Sequence, residues 1–294
     1  MPHSRSGPSP ARTALLTGLA VLAFAANSLL CRLALGQQLI DAASFTTVRV
    51  VSGAVVLALI MLPRWRAHGR APADWRLVTM LAVYMVFFSF AYLSLSVGTG
   101  ALVLFGSVQL TMFVAGIRGG EYFAPLSWAG LVLAILGLVY LVWPGVSAPD
   151  PFGAILMAIA GLGWAFYSLF GRGVADPAES TANNFIFSVP LVIVISVLFA
   201  GDFHASGAGI FWAVISGALA SGLGYVMWYA ALRGLTATRA ATVQLSVPVI
   251  PALGGVVLLS EPITLRLVLA SIATLGGVAM VLAQRASPVD RSTD

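Results

Sequence analysis

Residues 24–32 read FAANSLLCR, and residues 164–172, which lie 140 positions later, read WAFYSLFGR. An aromatic residue, a polar residue, a serine and an arginine occupy matching positions in these two stretches. The same shift aligns further pairs along the chain: Phe88 with Trp228, Ala101 with Ala241, Glu121 with Glu261, and Gly137 with Gly277. Because one register holds across both halves, the chain is predicted to contain two copies of one structural unit.

The composition places both copies in a membrane. Hydrophobic residues make up 60% of the chain and charged residues 9%, whereas soluble domains carry about 25% charged residues. Runs of roughly 17 to 25 apolar residues, long enough to cross a bilayer, predict ten spans at 13–35, 42–62, 77–97, 99–118, 123–143, 151–171, 181–200, 207–232, 238–260 and 263–284. The connections are too short for a soluble domain, so the sequence predicts an all-α polytopic membrane protein.

The arginines predict the topology. All 15 basic residues are arginines, and a cytoplasmic N-terminus leaves only Arg32, Arg49 and Arg266 outside the inner segments, in agreement with the positive-inside rule. We therefore expect a multi-pass protein of the bacterial inner (plasma) membrane, with both tails, 1–12 and 286–294, in the cytoplasm. The net charge of +5 follows from this topology and from contact with inner-leaflet lipid, so nucleic acid is not expected as a partner.

The odd number of spans in each half makes the halves inverted. Five spans place the start of the second unit, 151–285, on the opposite side from the start of the first, 13–143. Inverted repeats give two equivalent packings of one half against the other, which is the basis of alternating access in secondary transporters. The prediction is therefore two inverted five-helix repeats around a central cavity, with substrate bound near the midplane.

Three local features carry a family resemblance: the Asn27-containing first helix, Gly119-Gly120-Glu121 at the end of helix four, and Leu259-Ser260-Glu261-Pro262 at the end of helix nine. From about residue 13 to 285 the chain resembles the tandem EamA domains of the drug/metabolite transporter superfamily, and is most similar there to the aromatic amino acid exporters of the YddG type. Many EamA domains carry a proline in the fourth helix. Here Val108-Gln109 occupies that region, whereas Pro248 stands in helix nine, so a kink is expected in helix nine and is left open for helix four.

Polar and aromatic side chains inside the spans are the candidate site. Helical spacing gives helices one and six one polar face each, and helices three, eight and nine add aromatic, hydroxyl and amide groups. Such groups must face other helices or a wet cavity in a bilayer, so they either line the cavity, join helices, or, for tryptophans, mark the membrane interface. The predicted substrate-binding residues are Asn27, Ser28, Arg49, Tyr84, Phe88, Tyr92, Trp164, Tyr167, Ser168, Tyr225, Trp228 and Gln244.

Arg49 is the one charged residue well inside a predicted span. A guanidinium at that depth is costly unless it is paired or reaches the interface. It could hold a substrate carboxylate in bidentate fashion, or it could extend toward water or Asp41. The sequence leaves both interpretations open.

The absence of acidic residues from the middle of every predicted span narrows the function. It disfavours a carboxylate proton relay and a site for lipophilic cations, and the lack of lysine disfavours phosphate-bearing substrates, so a zwitterion or neutral metabolite remains. We expect an exporter of amino acids, aromatic and other neutral ones over a broad range, that works by alternating access. Another small metabolite or toxic compound is the alternative.

An integral membrane enzyme is a remote alternative. It would need a nucleophile, metal or acid–base set at membrane depth, but the three histidines lie in predicted tails or loops and neither GxSxG nor HExxH occurs. The chain is therefore expected not to be an enzyme, to use no cofactor or metal, and to act as a monomer in contact with lipid.

Overall fold

A computed structural model describes residues 10–120, 122–145, 147–171, 174–232, 235, 243–244 and 246–285. Several sequence features used above lie outside the described residues: Glu121, Arg172, Ala241 and the tails at 1–9 and 286–294. Within the described part of the chain the regular structure is helical, apart from one isolated bridge between Ile40 and Ala205.

The helices follow the predicted spans closely. They are α1 (Pro10–Gly36), α2 (Ala42–His68), α3 (Trp75–Ala91), α4 (Val97–Arg118), α5 (Pro125–Val142), α6 (Pro151–Phe170), α7 (Pro177–Leu198), α8 (Gly207–Ile215, continuing as Ser216–Leu223 and Gly224–Leu232), α9 (Val249–Leu259) and α10 (Leu265–Arg285). Eight of these are long and apolar enough to cross a membrane, while α3 and α9 are shorter apolar helices. The described chain is thus a multi-pass membrane protein.

Three predicted spans have different ends in the structure, and the one predicted at 42–62 continues to His68. The helix expected at 77–97 ends at Ala91, and α4 begins at Val97 because the Ser96 hydroxyl accepts a hydrogen bond from the backbone N–H of Thr99 and caps the new helix. The helix expected at 238–260 is described as α9 only from Val249, with Pro248 at its N-cap. Proline fits there because a helix start needs no backbone N–H donor. By contrast, α4 runs without a break, which answers the question left open for helix four.

Helix contacts come in matched sets. Helix α3 packs on α6 and α8 packs on α1; α4 packs on α6 and α9 packs on α1; α2 contacts α8 and α7 contacts α3. The remaining large interfaces, α2 with α7 and α5 with α10, each join helices that occupy the same order in the two halves. Exchanging the first five helices for the last five therefore reproduces the larger helix contacts, whereas the smaller contacts of α4 with α5 and α10 have no counterpart of similar size among the described residues.

Paired glycines set the closeness of α5 and α10. A Cβ atom on Gly130 would lie 2.5 Å from the carbonyl oxygen of Gly277, and a Cβ on Gly277 would collide with the carbonyl oxygen of Gly130. Small residues at such crossings let helix backbones approach in a membrane, where packing rather than the hydrophobic effect drives association. The neighbouring Gly276 has open space around its Cα, so only one of these adjacent glycines is required by the interface.

Helix α8 contains a π-helical segment, Ser216–Leu223, that the sequence did not predict. Residues five apart in an α-helix point to different faces. In a π-helix the i to i+5 spacing puts Ser216 and Ser221 on the same face, and both hydroxyls contact Asn27 of α1. Gly217 lies within this segment, and a Cβ there would collide with the carbonyl oxygen of Arg49 and the hydroxyl of Ser52. The segment thus places α8 directly against α2 beside Arg49.

A capping aspartate organises one end of the bundle. The carboxylate of Asp150, at the N-cap of α6, accepts hydrogen bonds from the backbone N–H of Gly153 (2.7 Å) and the hydroxyl of Ser94 (2.8 Å). These hydrogen bonds stabilise the ionised form and hold the pKa of Asp150 below its ordinary value. They also tie the turn between α3 and α4 to the start of α6.

Candidate substrate cavity

A narrow cavity lies between helices of both halves. The cavity has a volume of about 30 Å³. A single water molecule needs roughly 10–15 Å³ measured in the same way, so the cavity admits a few waters and no amino acid. Its walls are formed by Phe24, Asn27, Ser28, Tyr84, Phe88, Leu104, Phe105, Trp164, Tyr225 and Gln244.

Seven of the twelve predicted site residues line this cavity: Asn27, Ser28, Tyr84, Phe88, Trp164, Tyr225 and Gln244. They come from α1, α3, α6, α8 and the segment before α9, so five separate parts of the chain converge on one space. The sequence did not single out Leu104 and Phe105, because apolar residues in an apolar helix carry no signal that separates a cavity wall from a lipid-facing surface. Phe24 lies on the helix-one face that the spacing identified.

Aromatic rings form most of the wall. The ring of Trp164 is stacked on those of Tyr225 (5.4 Å between centroids) and Tyr167 (5.6 Å), and lies 5.1 Å from that of Tyr84. Phe24 contacts Trp164 at 6.4 Å and Tyr225 at 5.6 Å. These separations are within the range of favourable aromatic pairing, and the result is a rigid surface suited to apolar or aromatic groups.

Asn27 is the polar centre on α1. Its side-chain oxygen Oδ1 accepts hydrogen bonds from the hydroxyls of Ser216 (2.8 Å) and Ser221 (3.2 Å), both in the π-helical segment of α8. Asn27 therefore does both things that the sequence left open: it lines the cavity, and it joins α1 to α8.

Arg49 lies directly behind the cavity wall and is fully buried, with 0% exposure. Its Nε donates to the Ser221 hydroxyl at 3.3 Å and its Nη2 to the Tyr84 hydroxyl at 3.4 Å, while Nη1 has no hydrogen-bond partner in the part of the chain that the structure describes. The guanidinium carbon is 4.9 Å from the ring centroid of Phe88 and 5.7 Å from that of Tyr84. Arg49 thus contacts two residues that line the cavity.

Asp41 does not neutralise Arg49. One carboxylate oxygen of Asp41 accepts from the backbone N–H of Ser44 at 2.8 Å and the other from that of His204 at 3.2 Å. Arg49 also has no exposed surface through which it could reach water. The alternative considered for this arginine, an extension toward water or Asp41, is not the arrangement seen.

The other predicted residues lie around the cavity. Tyr92 is fully buried beneath Phe88, with ring centroids 4.9 Å apart. Tyr167 accepts a hydrogen bond from the amide of Asn184 at 3.2 Å. The Ser168 hydroxyl donates to the Trp164 carbonyl within its own helix at 2.8 Å, and Trp228 packs against Phe24, 5.8 Å between centroids. None of these four is part of the cavity wall.

An ion pair closes one end of the bundle beside the cavity. The Nε of Arg32, on α1, lies 3.4 Å from Oε1 of Glu261, in the loop between α9 and α10. The second oxygen of Glu261 accepts from the backbone N–H of Val97 at 2.8 Å, at the start of α4, where a carboxylate is favoured by the helix dipole. Arg32 also donates to the carbonyls of Tyr92 (3.0 Å) and Leu93 (3.3 Å). One cluster thus joins α1, the turn between α3 and α4, and the end of α9.

Comparison with known proteins identifies the fold and the family. The profile of the family described as "EamA-like transporter family" matches residues 151–283. The "Uncharacterized protein PA1977" of Pseudomonas aeruginosa is 50% identical over 274 residues, which covers 93% of this chain and 96% of that protein. The "Threonine/homoserine exporter RhtA" of Escherichia coli is 26% identical over 241 residues, or 77% of each chain.

A solved structure described as "Crystal structure of protein" shares the fold, with a TM-score of 0.66 at 21% identity, and covers 94% of this chain and 98% of that one. The membrane-spanning helices, the family profile and the transporter relatives agree with one another. The chain therefore belongs to the EamA-like transporter family of the drug/metabolite transporter superfamily and is a multi-pass membrane transporter.

Proposed function

We propose that this transporter exports amino acids, aromatic and other neutral ones, through the cavity described above. The observation that carries the proposal is the combination of a buried guanidinium, Arg49, with an aromatic wall at one site. A guanidinium can hold a carboxylate in bidentate fashion, and aromatic faces accept apolar or aromatic side chains. A neutral amino acid with an apolar side chain presents both a carboxylate and an apolar group.

We infer that transport proceeds by alternating access of two inverted repeats, 13–143 and 151–285. The matched helix contacts support this inference, because exchange of the halves reproduces them. The narrowness of the cavity supports it as well, since a substrate could enter only after the walls move.

The arginine distribution favours a cytoplasmic N-terminus. In that orientation the Arg32–Glu261 ion pair lies at the outer face, where it joins both halves. We propose that this ion pair forms when the transporter is closed to the outside and breaks when it opens there.

The relative RhtA supports an amino acid as substrate, since it is described as a threonine/homoserine exporter. The aromatic wall extends the expected range of this chain toward larger side chains. Another small metabolite that carries a carboxylate and an apolar group would satisfy the same two features.

Reconstituted flux tests the proposal. Purified full-length protein in liposomes is assayed with radiolabelled phenylalanine, leucine and threonine, with and without a pH gradient. Trp164→Ala removes the central ring of the wall and Asn27→Ala removes the acceptor of two hydroxyls, so each is expected to reduce flux roughly tenfold. Trp143→Ala, an exposed tryptophan after α5, serves as the matched control and leaves flux unchanged.

Unchanged flux in both Trp164→Ala and Asn27→Ala would show that substrate does not pass through this cavity. Absence of flux for all three amino acids, with flux of a different metabolite, would replace the substrate class while keeping transport. Stimulation by a pH gradient would add proton coupling to the mechanism.

A further inference from the structure

Among the described residues, no carboxylate forms an ion pair with the positively charged Arg49. The ion pairs found among the described residues join Arg32 to Glu261, Arg64 to Asp176 and Arg76 to Asp74. The cavity wall contains no acidic residue. Arg49 donates two hydrogen bonds, at 3.3 and 3.4 Å, which are long for a charged donor, and both acceptors are neutral hydroxyls. Its Nη1 is buried and has no partner among the described residues. An uncompensated buried charge of this kind is strongly destabilising unless something completes it.

A substrate anion would complete it. A carboxylate brings one negative charge and two acceptor oxygens, and it would supply the missing partner of Nη1. A zwitterionic amino acid would bring an ammonium as well, and this second cation would lie in a low-dielectric space beside Arg49. Charge balance therefore favours a substrate with a carboxylate and no ammonium.

The acceptors that an ammonium would need are already engaged or weak. The Asn27 side-chain oxygen accepts from two serine hydroxyls. Phe88 and Tyr84, whose faces could bind a cation, already face the guanidinium at 4.9 and 5.7 Å. Gln244, Ser28 and Tyr225 remain as neutral acceptors on the wall, and neutral acceptors compensate an ammonium less well than a carboxylate does.

We propose that the cavity selects the carboxylate of its substrate and does not require the α-amino group, so that monocarboxylates with an aromatic or apolar tail bind at least as well as the corresponding amino acids. This inference rests on the proposed transport cavity and extends its substrate class from amino acids to monocarboxylates. Tyr84 and Phe88 connect Arg49 to the cavity, because both rings contact the guanidinium and both residues line the cavity. Rotation of these rings as the cavity opens would bring the carboxylate to Arg49.

Three probes that share one ring and one chain length test the proposal. Phenylalanine has both groups, 3-phenylpropionate lacks the amino group, and phenethylamine lacks the carboxylate. Binding of each radiolabelled probe to the purified full-length protein is measured directly, which avoids leakage of the neutral amine through liposomes. We expect 3-phenylpropionate to bind with an affinity equal to or above that of phenylalanine, and phenethylamine to bind at least roughly tenfold more weakly.

Variants at Arg49 connect the result to the guanidinium. Arg49→Gln is expected to weaken 3-phenylpropionate binding by roughly tenfold or more and to abolish its advantage over phenethylamine. Arg49→Lys keeps the charge and is expected to retain the preference for the carboxylate, and it also shows that this site tolerates substitution without loss of folding. Arg76→Gln, at an exposed arginine paired with Asp74 within one segment, is the matched control and leaves all three affinities unchanged.

The possible outcomes separate this inference from the proposed function. Binding of phenylalanine and phenethylamine without binding of 3-phenylpropionate would overturn the inference and leave amino acid export in place. Binding of 3-phenylpropionate alone would support the inference and overturn amino acid export. Failure of all three probes to bind, or an undiminished carboxylate preference in Arg49→Gln, would overturn the assignment of Arg49 to substrate.

Discussion

Removal of the Glu261 charge is expected to open the end of the bundle that the Arg32–Glu261 ion pair closes. At 3.4 Å, two unit charges attract by about 5 kcal/mol at an effective dielectric constant of about 20. Desolvation of both groups offsets most of this energy. The side chains are only 25% and 14% exposed, so the net contribution lies above the ~0.2–1 kcal/mol of surface pairs and near the low end of charged hydrogen bonds, about 1.5 kcal/mol.

Under the proposed alternating access, the pair joins segments that separate when that end opens, so its energy would favour the closed state. A loss of about 1.5 kcal/mol changes an equilibrium roughly tenfold. Glu261→Gln is therefore expected to raise the open fraction about tenfold, provided that the open state is rare in the parent protein. Arg32→Gln removes the same attraction and should have a similar effect, and the double variant should exceed neither single variant by much, because both lose one interaction.

Labelling of an introduced cysteine measures the open fraction. Ser28→Cys places a thiol on the cavity wall one turn before Arg32, in a Cys31→Ala background that removes the single native cysteine. The rate of reaction with a membrane-impermeant maleimide added from outside is compared among variants. Asp74→Asn is the matched control, because it removes a carboxylate whose arginine partner lies only two residues away.

Equal labelling rates in the parent, Glu261→Gln and Arg32→Gln would refute the role of the ion pair in closure. Independent, additive effects of the two substitutions would also refute it, since they would show that the two side chains act on different contacts. A faster rate in Asp74→Asn would show that the assay responds to general loosening of the fold.

Three further predictions concern stability, measured by unfolding of the purified protein in detergent. Gly277→Ala is expected to destabilise the fold by about 1–3 kcal/mol, because the added methyl group meets the carbonyl oxygen of Gly130. Gly276→Ala, where the added methyl group has open space, should be neutral or stabilise the fold by up to about 1 kcal/mol. Equal effects of the two substitutions would contradict the glycine interface. The contribution of Asp150, whose folded pKa is lowered, is present above the ordinary aspartate pKa of about 4 and lost as pH falls through the lower folded value. The acid limb of the pH–stability profile should therefore flatten in Asp150→Asn, and an unchanged limb would show that this cap does not contribute. Gly69→Ala should cost about 1–3 kcal/mol because φ 78° and ψ 176° form a region that only glycine occupies readily; an unchanged midpoint would show that the end of α2 adapts.

Much of the fold was predictable because membrane insertion depends on local properties. Runs of apolar residues identified the helices, whereas the two inverted repeats that the 140-residue shift indicated stay a prediction. The sequence analysis missed helix ends that are set by capping residues. A hydropathy run cannot reveal that Ser96 starts a helix five residues after Ala91 ends the previous one.

The candidate site was predictable in part. Seven of the twelve residues line the cavity because polar groups such as Asn27 and Ser28 cannot face lipid. The cavity positions of Leu104 and Phe105 were not foreseeable, since lipid tails are as apolar as a protein interior and hydropathy does not distinguish the two.

By itself the sequence determined that this chain resides in a membrane as a bundle of apolar helices, because solvent preference is set residue by residue. Only the tertiary structure decided that Arg49 pairs with none of the described carboxylates, that Ser216 and Ser221 both reach Asn27, and that Arg32 meets Glu261 across 229 positions of chain. These contacts depend on how helices approach one another. In a bilayer that approach is governed by close packing and by polar pairing between distant segments, which local sequence patterns do not encode.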